Sequence, residues 1–334
     1  MNKWRTAVAG LAGLALVVGG APAAAQAADL GQIVISNDFD TNPGIVHVSI
    51  ATGDAVAAIH ADFVDTGTGE TGGSADDFVV ERQTATEVSY VTAGPVVMAP
   101  GYYEAQVTVT AADGTIERAT ESLFYDVIAT VDGLTADRTT IDWDHRDVTV
   151  SGVLRGRWPG SGEVRPLGGA LVGYWGLMNG GDPLVTDQNG AFSHTFTMPG
   201  AGNGIDFWYD SGSPHTRGGG IVTYTATVVP QQTRVRVRAD KRVATAGDPI
   251  TLAGKVERLT ARGWAPAPPQ TGLWVENCDN TGCADGYSDV PIAADGTFST
   301  VTTARRTGYF QVGVTGYLDF FAYSTGRTPI VRVR

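Results

Sequence analysis

Five histidines, two cysteines and a few crowded carboxylates are what this chain of 334 residues offers to side-chain chemistry. Nucleophilic catalysis needs a serine or cysteine held beside a general base and an oxyanion site. No G-x-S-x-G elbow accompanies His47, His60, His145, His194 or His215. H-E-x-x-H, phosphate-loop and dinucleotide motifs do not occur either. In AFSHTF the strand period puts His194 on the face of Phe192 and Phe196, so a buried, hydrogen-bonded histidine is expected there. The expectation is a protein that binds or builds and does not catalyse.

The cysteines, Cys278 and Cys283, lie close together in NCDNTGC. No further cysteine and no nearby histidine completes a zinc set, so a short local disulfide is expected. In IDWDHRD, Asp142, Asp144 and Asp147 present hard oxygen ligands that could hold calcium, against the reading of a solvated turn. SNDFDTNPG gives Asp38, Asp40 and Asn42 the D-x-D-x-N spacing, but Pro43 and Ser49 stand where a calcium loop needs glycine and glutamate. DFVDTGTGETGGSADD, from Asp62 to Asp77, reads as a solvated acidic loop with calcium as the alternative.

Arginine carries most of the positive charge. TRVRVRA sets Val235 and Val237 on one face and Arg234, Arg236 and Arg238 on the other; VRVR at the C-terminus adds Arg332 and Arg334. If the first and last strands of one sandwich are neighbours, these five form a single stripe. Such a stripe suits an anionic polymer such as teichoic acid or an acidic polysaccharide, or else guards an edge strand against aggregation.

The elements that must position these residues are strands. With 44 Gly, 16 Pro and abundant Val and Thr, and no sustained helical spacing after the first residues, the class expected is all-β. VTVSGVL and ITLAGKV align Gly152 with Gly254, 102 residues apart; Trp158 with Trp264, and Gly190 with Gly296, are each 106 apart. The last pair sits in Asn-Gly and Asp-Gly turns leading into strands, a strong hairpin signal. A repeated sandwich of about 100 residues follows. IVHVSIAT, EVSYVTA, YYEAQVTVT and TIERATESLFYDV read as strands of a first sandwich of a different subtype.

Lys3, Arg5, the apolar run Ala7 to Val18 and Ala25-Gln26-Ala27 form a secretory signal peptide with cleavage expected before Ala28. The expected division is therefore 1–27 signal peptide, then sandwiches 28–130, 131–229 and 230–334. Their charges run from sixteen carboxylates against two arginines, through ten against six, to nine against thirteen Lys and Arg. Neither a membrane span, a lipid anchor nor nucleic acid is expected. The chain is expected in the medium or loosely on the cell wall, where its partner is an anionic wall polymer or another surface protein.

The order of a V-x-G strand, a tryptophan with prolines, T-D-x-N-G-x-F or A-D-G-T-F and a closing tyrosine strand resembles the immunoglobulin-like repeat domains of secreted actinobacterial proteins. GWAPAPPQTGLWV, AADGTFST, TARRTGYFQV and FAYSTG carry it in the third domain; GRWPGSGEVRPLGGALV and VTDQNGAFSHTFT carry it in the second. The resemblance implies adhesion, spacer or binding roles. NCDNTGC followed by DGTFSTVTTARR is similar to the cysteine loop of the neocarzinostatin-type apoproteins. That likeness implies a small apolar ligand in the third domain, held near Trp264, Trp274, Tyr287 and Phe298.

Overall fold

The computed structural model describes residues 30–39, 41–52, 55–176, 181–200, 204–314 and 319–334, without the side chains of Ala284, Asp285, Tyr287 and Ser288. The expected signal peptide lies outside these residues. Every long element is a strand, and no described helix is long and apolar enough to cross a membrane. Contacts divide the chain into two compact units. One is Met1–Asn37, Ile45–Val96 and Tyr103–Leu123; the other is Asp38–Gly44, Val97–Tyr102 and Phe124–Arg334.

Among the described residues, eight strands precede residue 126: β1 (Ile33–Asp38), β2 (Asn42–Ile50), β3 (Val56–Asp65), β4 (Thr71–Ala75), β5 (Phe78–Gln83), β6 (Val88–Thr92), β7 (Gly101–Ala111) and β8 (Ile116–Tyr125). They form two four-stranded sheets, β1-β2-β6-β5 and β4-β3-β7-β8. Strict alternation along β7 buries Tyr103, Ala105, Val107 and Val109 and exposes Tyr102, Glu104 and Gln106. The acidic stretch from Asp62 is not a loop. It folds as the β3–β4 hairpin, in which Asp65 accepts the amides of Gly67 and Thr68 at 2.8 Å.

The next sandwich has β9 (Val127–Ala136), β10 (Thr140–Ile141), β11 (Asp147–Arg157), β12 (Val164–Pro166), β13 (Leu171–Trp175), β14 (Leu184–Val185), β15 (Ala191–Thr197), β16 (Gly204–Ser211), β17 (Thr216–Gly218), β18 (Val222–Thr225) and β19 (Thr227–Val228). One sheet runs β12-β11-β9-β17 with β15 also on β11; the other runs β14-β13-β16-β18. Because β9 starts at Val127, the expected division near Thr130 falls inside a strand.

The last sandwich has β20 (Thr233–Ala239), β21 (Val243–Ala244), β22 (Pro249–Thr260), β23 (Gly263–Pro266), β24 (Leu273–Asp279), β25 (Gly282–Ser288), β26 (Thr297–Thr303), β27 (Tyr309–Val314), β28 (Thr325–Arg327) and β29 (Arg332–Val333). Its sheets are β20-β22-β23, with β26 also on β22, and β25-β24-β27-β28.

These two sandwiches repeat the same backbone contacts at the hairpin. Gly190 and Gly296 have φ of 73° and 81°, a left-handed conformation that favours glycine. Their carbonyls accept the amides of Leu154 and Val256, at 2.8 and 2.9 Å. The ring of Phe192 fills the space where Gly152 lacks a side chain, and Phe298 does the same at Gly254. In both, a short piece of the first strand crosses to the last: β10 pairs in parallel with β19, and β21 with β29. The third alignment fails. Pro166 pairs with Arg155 as Pro266 pairs with Glu257, so Val164, not Trp158, occupies the place of Trp264. A longer turn in the second sandwich shifts the tryptophan, which spacing alone could not reveal.

Candidate binding surfaces and the joint between sandwiches

Strand pairing decides the arginines. Thr233–Ala239 pairs with Leu252–Arg258 on β22, whereas Arg332 lies beside Val243 on β21 in another pair. The five arginines therefore do not make one stripe. Alternation does hold: Val235 is buried and Arg236 and Arg238 are exposed. Arg234 is already engaged. Its Nε donates to Glu257 at 2.7 Å, and its guanidinium lies 4.1 Å from the centre of the Trp264 ring. That pairing holds the Glu257 carboxyl below its usual range.

Arg236 stands opposite Lys255 of β22, and Lys255 stands opposite Thr297 of β26. The row beyond it is Arg238, Ala253 and Ser299. Between them the sheet surface forms a groove of 420 Å³. Lys255 had no signal in the sequence, because its cationic neighbours are nineteen and seventeen residues away and meet it only through strand register.

Asp142, Asp144 and Asp147 are not gathered around a common point. Asp142 Oδ1 accepts the amides of Asp144 and His145 at 2.8 and 2.9 Å, and Asp147 accepts the Thr197 hydroxyl at 2.6 Å. Asp144 instead forms a joint between sandwiches. Its Oδ2 accepts Arg258 Nη1 at 2.5 Å and Gln231 Nε2 at 2.9 Å, while Arg258 also donates to Gln231 Oε1 at 2.9 Å. Arg258 foremost holds Asp144 below its ordinary value, burial works the other way, and Gln231 adds to the lowering. Beside this network Trp143 packs on Phe320 and Phe321 at 5.8 and 5.3 Å between ring centres. The chain crosses here: the Val229 amide donates to Ile141 and the Gln231 amide to Phe320, each at 2.8 Å.

Of the other calcium candidates, Asp40 lies outside the described residues. Asp38 accepts from Thr41, and Asn42 Oδ1 accepts the amides of Gly44 and Gly160 at 3.1 Å. Asp62 and Asp76 both contact the His60 ring, at 3.1 and 2.6 Å, and raise its pKa, Asp76 most. Among the described residues, one set of three metal-capable side chains lies within 4.8 Å, namely Glu276, Cys278 and Cys283. Two of the three are bonded to each other.

That disulfide joins directly opposed residues of β24 and β25, with Cα atoms 4.0 Å apart. Arg306 reinforces the same hairpin, reaching Asp279 at 3.1 Å and the carbonyls of Asn277 and Gly282 at 2.8 and 2.9 Å. The aromatics proposed to hold a ligand there do not converge. Phe298 is in the core, Trp264 lies under Arg234 on one sheet, and Trp274 covers Gly313 on the other, stacked with Tyr323 at 6.2 Å. The Tyr287 side chain is outside the described set.

His194 is exposed, contrary to expectation. It does share a face with Phe192 and Phe196, but among the described strands β15 pairs only with β11 and forms a sheet edge. There the ring tilts out and stacks over Tyr174, 6.1 Å between centres.

No family model matches the chain, and no curated protein matches it. Among solved structures, the Escherichia coli adhesin FdeC aligns at 14% identity over 92% of this chain and 98% of that one, TM-score 0.26. The I9–I11 tandem of titin aligns at 10% over 87% and 94%, TM-score 0.26. The Yersinia pseudotuberculosis adhesin InvE aligns at 14% over 61% and 60%, TM-score 0.37. At these scores the likenesses add nothing to what the chain's own sheets show.

Proposed function

We propose that the chain is a secreted, non-catalytic protein that binds or builds through the faces of tandem immunoglobulin-like domains, at the cell surface or in the medium. One observation carries this reading. The second and third sandwiches keep the same hairpin, glycine and core phenylalanine, while their outward residues differ. A scaffold held constant beneath a changed surface is what a binding module needs. The crowded carboxylates are spent on turns, on His60 and on the joint. Partners of this kind are an anionic wall polymer or another surface protein.

Fractionation of cells that produce the full-length chain tests the reading. The protein should be recovered from medium and wall fractions, starting near Ala28. Recovery from the cytosol with residues 1–27 intact would overturn it.

A further inference from the structure

We infer that the groove over Gly254 is a binding site for an extracellular polymer bearing phosphate or sulfate groups. The inference rests on the surface-binding reading above. The floor of the groove is the backbone where Val237, Gly254 and Phe298 lie in register, with the Val237 and Phe298 side chains turned inward. Arg236, Arg238 and Lys255 rise around it together with Thr297.

Arg236 and Lys255 are directly opposed on adjacent strands, where Cβ atoms stand about 5 Å apart and like charges repel. Glu257 acts on Arg236 and Lys255 and Asp295 acts on Lys255, but both also hold closer partners. Glu257 is 3.8 Å from Arg236 but already bonded to Arg234. Asp295 accepts the hydroxyl and amide of Thr297 at 2.6 and 2.9 Å. Arg238 and Lys255 make no salt bridge among the described residues. An oxyanion between the three cations would relieve the repulsion, and a guanidinium fork matches phosphate or sulfate oxygens in pairs.

Two comparisons within the molecule separate this from other uses of charge. In the second sandwich the register positions of Arg236, Lys255 and Thr297 are held by Asp132, Val153 and Ala191, so the scaffold does not require cations there. Edge protection accounts for arginines on β20, which among the described strands pairs only with β22. It does not account for Lys255, which lies on β22 between paired strands.

The test is equilibrium binding of the mature chain to poly(glycerol phosphate) and to dextran sulfate, with uncharged dextran as the blank. At least one polyanion should bind, the phosphate and sulfate probes telling the two sources apart. Affinity should fall steeply as salt shortens the screening length below about 10 Å. Arg236→Thr/Arg238→Thr/Lys255→Thr should lose about tenfold or more at low salt, and Arg332→Thr/Arg334→Thr less than about twofold. Lys255→Gln alone, which disturbs the sheet least, should lose about threefold. Equal loss per charge in all variants, or no loss, overturns the groove. So does a parent that stays on wall fractions yet binds neither polyanion, an outcome that leaves the surface-binding reading intact.

Discussion

Gly152 and Gly254 hold the same place in two copies of one sandwich, yet meet different first strands. Opposite Gly152 the pairing of β9 shifts register between Ser151 and Val153, and a Cβ added at the glycine would lie 3.3 Å from the Leu134 side chain. Opposite Gly254, β20 runs straight, and a Cβ there would strike the Arg236 carbonyl as well as the Phe298 ring. A second difference lies on the other sheet. Trp208 of β16 covers Gly173 of β13, whereas Trp274 of β24 covers Gly313 of β27, with the indole coming from the opposite strand of the pair. What is preserved is an indole lying on a glycine, not the residue at either position. The bulged strand also pairs with β17, while the straight one pairs with β22 alone among the described strands. Both registers nonetheless set one pair directly opposed here, Asp132 with Val153 and Arg236 with Lys255.

The largest effect should come from filling the two glycines. Gly254→Ala must displace backbone and is expected to cost about 3 kcal/mol, against about 1 kcal/mol for Gly152→Ala, where a ring at 2.8 Å and a leucine can give way. Denaturant unfolding of each variant measures the difference. Equal costs would mean that the bulge relieves nothing.

The joint comes next. Arg258 is only 14% exposed, so Asp144→Asn leaves a largely covered cation without its counter-charge and should cost about 2 kcal/mol. The pH dependence has a fixed sign. Because the folded state holds Asp144 below its ordinary 3.8, its contribution is present above that value and is lost as pH falls through the lower, folded value. The parent should lose stability below about pH 4 more steeply than Asp144→Asn. Asp126 differs in sign. Burial drives its pKa up, with His215 and Arg217 opposing. The folded state therefore favours its neutral form, its contribution falls as pH rises above the ordinary value, and Asp126→Asn should be neutral or stabilising at pH 7. Parallel acid limbs for parent and Asp144→Asn would show that the joint contributes no linkage.

Cys278→Ser/Cys283→Ser should cost about 2 kcal/mol, as expected for a closed loop this short. The corresponding hairpin of the second sandwich, β13 with β14, has no disulfide and among the described residues pairs only at Leu171–Val185 and Val172–Leu184. The reduced hairpin should stay paired, because Arg306 still ties Asp279 to the carbonyls of Asn277 and Gly282. Amide exchange along Leu273–Asp279 reads this directly, and full loss of protection would mean that the disulfide alone holds the strand.

Turn chemistry made much of this fold legible in the sequence. Asn189-Gly190 and Asp295-Gly296 announce their hairpins locally, and the glycine before each core phenylalanine follows from the repeat. Strand partners were not legible. Whether Arg332 lies beside Arg234 depends on the chain switching sheets between Ala239 and Val243, and nothing in the alternation of TRVRVRA records that switch. Lys255 joins the arginines only through register. Trp158 and Trp264 parted because a turn grew in one copy. In each case the pattern gives the face of a strand, while its neighbour is set elsewhere in the chain.

His194 is the smallest test and bears on the same limit. Period two correctly puts it on the face of Phe192 and Phe196, but a face at a sheet edge is not an interior. Opposite it stands Val150, and in the third sandwich the matching pair is Leu252 with Thr300. The repeat therefore already accepts a small hydroxyl where the second sandwich has an imidazole. The ring's contacts are the stack on Tyr174 at 6.1 Å and an edge contact with Phe196 at 4.7 Å. Such pairs contribute about 1 kcal/mol at most, and threonine's strand preference returns part of it. His194→Thr should accordingly change stability by no more than about 0.5 kcal/mol, as surface substitutions do. The reciprocal Thr300→His should be equally mild if the two edges are equivalent. Denaturation midpoints of both variants check this: a loss above about 2 kcal/mol for His194→Thr would mean that the ring is a core residue and that the edge strand closes over it.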